Sequence, residues 1–215
     1  MNLDPFSAHR HDRDSLAIDP ATTALLVVDM INDFCTPGGA MVLPGAERLY
    51  PPQNTLIAAA RDAGMPVVQI IDSHRPGLRD DREFRKRTPH AIEGSWGAQV
   101  VAELEQRPED IRVLKRRYSA FYNTDLHLTL QDMGIDTVIV IGVVTNICVR
   151  STVHDAFFHG YEVAVPEDCV AATGPREQIS SLYDIATHFG TVTDSADLIR
   201  ALADGVPVRN REIPA

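Results

Sequence analysis

A carboxylate, a lysine and a cysteine stand where a parallel sheet would place its working residues. Asp29 closes the apolar run ALLVVD (24–29), Lys115 closes IRVLK (111–115), and Cys148 follows TVIVIGV (137–143). Open parallel sheets bind ligands outside the carboxyl ends of their strands, so residues 119 positions apart at the extremes can share one rim. Cys148 falls near the start of a predicted helix, where free N–H groups and the macrodipole favour a thiolate. A nearby Lys115 ammonium would lower the thiol pKa further, and Asp29 could move the proton between thiol and leaving group. Together they would perform nucleophilic acyl transfer. Each residue alone has a plainer reading. A buried cysteine packs as a small hydrophobe, Asp29 would cap a loop, and Lys115 would be a strand-end surface charge. Their common rim favours the chemistry. Cys35 and Cys169 lack such a context and read as structural.

The positioning elements alternate along the chain. Strands are predicted at 24–29, 67–72, 111–115, 137–143, 162–165 and 191–193. Helices are predicted at 46–63, near 97–106, at 124–133, from about 146, near 176–188 and from 195. Several strands are continuously apolar, as expected when helices cover both sheet faces. Strand–helix alternation with Gly64, Gly134 and Gly160 between elements implies right-handed crossovers and a parallel sheet. The expected fold class is a three-layer α/β/α sandwich, Rossmann-like, with about six parallel strands. Residues 1–20 read as a polar N-terminal arm, His9 and His11 included, 21–204 as one domain, and 205–215 as a tail lying on a neighbour.

Composition narrows the function. Twenty basic against thirty acidic side chains give a net charge of −10, which disfavours general nucleic-acid binding. No apolar run reaches the ~20 residues of a membrane helix, and the start lacks a secretory signal pattern. Three scattered cysteines make no disulfide framework, so a cytoplasmic location is expected. There is no G-x-G-x-x-G after a strand and no P-loop, which disfavours a nucleotide-binding protein.

Three segments, VVDMINDF (27–34), KRRYSAFYNTDL (115–126) and GVVTNICVRSTVHDAF (142–157), resemble the isochorismatase-like cysteine hydrolases. The resemblance runs from about residue 22 to 203. It implies strand order 3-2-1-4-5-6, a catalytic triad of Asp29, Lys115 and Cys148, and a cis peptide at Val143–Val144. It also implies an oxyanion hole from the amides of Val144 and Cys148. Because isochorismatases proper lack the nucleophilic cysteine, Cys148 points to an amidase. The pattern Asp72-Ser-His74, then Glu83, then His90 in TPHAIEGSWGA (88–98) is similar to the metal site of the nicotinamidase branch. Two histidines and two carboxylates suit Zn²⁺, Mn²⁺ or Fe²⁺. Phe34, Trp96 and Tyr118 are candidates to sandwich a flat ring.

The resemblance thus implies a small-molecule amidohydrolase of nicotinamidase or pyrazinamidase type. It would form a thioester, release ammonia and work as a homo-oligomer with neither nucleic acid nor membrane as partner. The chain departs from the nicotinamidase pattern at Arg87-Thr88-Pro89, where an aromatic often precedes the Pro-His pair. Arg87 reads as a surface charge in a basic run, or as a partner for a substrate carboxylate. An amidase for ureido or N-carbamoyl compounds is therefore an alternative. A non-catalytic binding protein on the same fold is a further one.

Overall fold

The computed structural model describes residues 15–78 and 80–213. His9 and His11 lie outside the described residues. Among the described residues seven strands build the sheet: β1 (Thr23–Val28), β2 (Val67–Asp72), β3 (Ile111–Lys115), β4 (Thr137–Val143), β5 (Glu162–Pro166), β6 (Val170–Ala171) and β7 (Thr191–Thr193). All pair in parallel in the order β3-β2-β1-β4-β5-β7. The two-residue β6, which the sequence pattern did not separate, pairs with the end of β4. With that insertion the expected order 3-2-1-4-5-6 becomes 3-2-1-4-5-7.

Helices α1 (Asn32–Cys35), α2 (Tyr50–Asp62), α3 (Leu126–Asp132), α4 (Arg150–Phe158), α5 (Pro175–Asp184) and α6 (Ser195–Asp204) complete the layers. β1, β2 and β4 are buried along their whole length, which is why their sequences do not alternate. One apolar layer joins Leu25, Val27, Ile71 and Ile139 to Leu56, Ile57 and Leu198 of α2 and α6. The other joins Leu26, Val28, Ile70 and Val140 to Leu126, Leu130, Val153 and Leu182 of α3, α4 and α5. Alternate residues of one strand therefore serve opposite faces.

Three sequence expectations change. The helix expected near 97–106 is a single 3₁₀ turn at Trp96–Ala98. Its apolar spacing is helical, but its backbone serves the segment after β1. Val101 N–H donates to Met30 O at 3.0 Å, and Gln99 O accepts from Asn32 N–H at 2.9 Å. The described end of the N-terminal arm is tied down, since Leu16 bridges Val208 and Ile18 is buried in the core. The C-terminal segment correspondingly lies on its own chain, with Arg211 N–H bonded to Val192 O at 2.8 Å. Among the described residues, no helix is long and apolar enough to cross a membrane.

Candidate active site

Sheet register assembles the rim. Asp72 pairs with Lys115 across β2 and β3, while Val28 of β1 pairs with Ile70 and with Gly142 of β4. Asp29, just beyond β1, turns out of the strand with φ 54° and receives the Asp72 N–H on Oδ1 at 2.8 Å. Gly142 allows the closest approach. Its φ is 114°, and an added Cβ would overlap the Val28 carbonyl. β4 then leads through a cis Val143–Val144 peptide into a π-type turn (Thr145–Val149) that continues as α4 and carries Cys148.

Lys115 is the hub. Its Nζ lies 2.8 Å from Asp29 Oδ2, 3.2 Å from Asp72 Oδ1 and 3.5 Å from Cys148 Sγ. Lys115 and Asp29 are fully buried, and Cys148 and Asp72 nearly so. Burial alone would push the lysine down, but Asp29 and Asp72 raise it well above its ordinary value, so it is an ammonium. Burial raises Asp29 to about 6, against the pull of Lys115 and with the help of Asp72. The thiol departs from the sequence expectation. Burial pushes Cys148 well above its ordinary value; Lys115 opposes this, but Asp29 and Asp72 reinforce it. One ammonium is shared by two carboxylates and has no surplus charge for a thiolate. The resting pair is a thiol beside an ionisable Asp29.

Asp72 also belongs to a second group. Asp72, His74, Glu83 and His90 are all buried and offer ligand atoms within 4.8 Å of one another. Asp72 Oδ2 lies 3.3 Å from His74 Nε2 and 3.5 Å from His90 Nε2. Each imidazole is turned from behind. His74 Nδ1 meets Asp81 Oδ2 at 2.8 Å, and His90 Nδ1 meets Thr88 O at 2.7 Å. Both partners are acceptors, so each Nδ1 carries a proton, and in the neutral ring each Nε2 presents its lone pair toward the cluster. Glu83 Oε1 and His74 Nε2 are buried without a hydrogen-bond partner. Such orphaned atoms are costly unless something meets them. Burial and Asp72 together raise Glu83, and burial of His74 is outweighed by Asp72 and Asp81, which raise it to about 9. The donor set is short of positive charge and fits one divalent cation. Asp81 escaped the sequence reading because it matched no ligand spacing; its separation from Glu83 by a single residue was the available signal.

Both groups open into one cavity of about 280 Å³. Cys148, Val144, Asp72, Glu83 and His90 line it together with Phe34, Tyr118 and residues 41–44. Trp96 does not line it; the ring is half-exposed on its own turn, and its carbonyl accepts from the Asn32 side chain at 2.9 Å. Arg87, read from sequence as a surface charge or a partner for a substrate carboxylate, lines this cavity although it remains exposed.

A sequence model of the isochorismatase domain matches residues 23–197. The chain belongs to the isochorismatase family. Among solved structures, a cysteine hydrolase from Pseudomonas syringae pv. phaseolicola is 31% identical, with 91% of this chain and 99% of that one covered at a TM-score of 0.85. An N-carbamoylsarcosine amidase from Thermoplasma acidophilum is 36% identical over 81% of this chain and 96% of its own, at 0.72. A pyrazinamidase of Pyrococcus horikoshii, solved in complex with zinc, is 29% identical over 80% and 99%, at 0.75. This family member is a hydrolase.

Proposed function

We propose that this isochorismatase-family hydrolase is a cysteine amidase that cleaves a small carboxamide through a thioester and releases ammonia. The observation that carries the reading is the shared cavity. A buried thiol 3.5 Å from a lysine ammonium, with a carboxylate on that lysine, faces the same 280 Å³ as the His and Glu side chains. A cavity of that size suits a single-ring or similarly small substrate.

Chemistry follows from the resting charges. Asp29, ionised above about 6, takes the Cys148 proton as Sγ attacks the amide carbonyl. The carbonyl electron pair moves onto oxygen, where the backbone N–H groups of Val144 and Cys148 would receive it. Collapse of that intermediate breaks the C–N bond, and Asp29 returns the proton to departing ammonia. Water, deprotonated by the same carboxylate, then splits the thioester into acid and thiol. Lys115 stays charged throughout and stabilises each anionic stage.

Asp72, His74, Glu83 and His90 would hold a divalent ion, zinc, manganese or iron. When bound, the ion supplies an electrophilic position for a lone pair on the substrate ring. Phe34 and Tyr118 would flank the ring and orient its carboxamide toward Cys148. Nicotinamide and pyrazinamide meet these demands, and the zinc-bound pyrazinamidase relative supports the choice. Arg87 supports a second reading, a ureido or N-carbamoyl acid whose carboxylate pairs with the guanidinium.

Comparing kcat/KM for nicotinamide, benzamide and an acidic ureide tests both. Nicotinamide should exceed benzamide by more than about tenfold; equal values would refute anchoring through the ring nitrogen. An ureide that outruns both, and loses that advantage in Arg87→Ala, establishes the second reading. No turnover of any amide by the folded, metal-loaded protein would instead identify a binding protein.

A further inference from the structure

The motif that ends β1 carries a second acid with no part in the chemistry above. Asp33, in α1, is buried, and among the described residues no cation pairs with it. Both carboxylate oxygens are engaged by backbone instead. Oδ1 accepts the Ala40 N–H at 2.9 Å and Oδ2 the Ala91 N–H at 2.7 Å, while its main-chain carbonyl takes Met41 N–H at 2.9 Å. An uncompensated buried carboxylate is costly, and amide donors to a charged acceptor are among the stronger hydrogen bonds. The two loops it grips both reach the site. One supplies residues 41–44 to the cavity wall, and the other carries His90.

Ala91 extends the grip to the second histidine. It holds φ 47°, uncommon for a residue with a Cβ, and its carbonyl accepts the His74 N–H at 2.8 Å. His74 O in turn accepts Glu93 N–H at 2.8 Å. The backbone beside His90 is thereby bonded to that of His74, and Asp33 fixes the junction from behind. Room for the carboxylate is kept by Gly97, where an added Cβ would overlap it.

We infer that Asp33 is a positioning residue that sets the His74–His90 pair, and hence the metal quartet, against the cavity wall. This rests on the metal reading proposed above. The carboxylate is specifically required because two N–H donors converge on it. Asn has the same shape but would turn an NH₂ group against one of them.

Zinc affinity of the metal-stripped full chain decides the matter, measured by competition with a chromophoric chelator for wild type, Asp33→Asn, Gly97→Ala and His74→Ala. Melting temperature and the iodoacetamide rate at Cys148 are followed in parallel. Both Asp33→Asn and Gly97→Ala should weaken zinc binding about 10–100-fold, the usual effect of losing a group that orients metal ligands. The alkylation rate should stay within about twofold, because Asp29, Lys115 and Cys148 are placed by the sheet. Gly97→Ala retains the carboxylate and carries the test if Asp33→Asn does not fold. Lower melting temperatures with unchanged zinc affinity would overturn the inference and leave a merely structural role. Wild type binding zinc no better than His74→Ala would overturn the metal reading, and the inference with it.

Discussion

Lys115 is a fully buried cation with two carboxylates and a thiol within 3.5 Å, and that ratio of charges sets the chemistry. With Asp72 as well as Asp29 on the ammonium, the thiol keeps its proton and Asp29 must remove it. Activity therefore needs ionised Asp29. As pH falls through about 6 the carboxylate takes up a proton, so kcat/KM should drop, approaching tenfold per pH unit well below that value. A pH profile on a substrate that does not titrate in that range checks this; a limb placed instead by an independently ionised thiolate would disagree. The rim placement of Asp29, Lys115 and Cys148 was legible because each follows an apolar strand. The thiol's upward shift was not, because no spacing reveals that Asp72 shares the lysine. For Arg87 the sequence left a surface charge and a substrate partner side by side, since a basic run gives no sign which of its members lines a cavity.

Among the elements, β1 and β4 control how closely the nucleophile and its base approach. Their contact at Val28 and Gly142 has no room for a side chain, and the glycine's φ of 114° is one that other residues rarely adopt. Gly142→Ala should cost about 1–3 kcal/mol or more. It should also slow turnover beyond what the loss of folded protein explains, because β4 leads directly to Cys148. Denaturant unfolding alongside kcat, corrected for the folded fraction, separates the two effects. Strands β2, β3, β4 and β7 were readable to the residue from β-branched runs bounded by polar turns. The segment 97–106 was not. Val100, Val101 and Leu104 have helical spacing and are buried, yet their backbone is committed to Met30 and Asn32. Periodicity reports which side chains are inside, not which partner satisfies the main chain.

At the scale of the molecule, two apolar layers on opposite sheet faces hold the fold, and the four candidate ligands lie outside both. Metal removal should therefore impair function before structure. An ion present at a hundred times its Kd adds about 2.7 kcal/mol of apparent stability. For a chain of this size that is about 10 °C or less of melting temperature. Chelation should leave one cooperative transition within that range, read by calorimetry, while slowing turnover of a ring-nitrogen amide. The layered fold was legible from strand–helix alternation, whereas the tail on β7 and the Leu16–Val208 bridge were not, because single backbone contacts leave no pattern. The account as a whole stands on Cys148 as nucleophile. Ammonia release from nicotinamide by wild type and by folded, equally metal-loaded Cys148→Ala tests it most directly. The account predicts at least about a thousandfold loss, in keeping with removal of a catalytic nucleophile; a variant within about tenfold of wild type would contradict it.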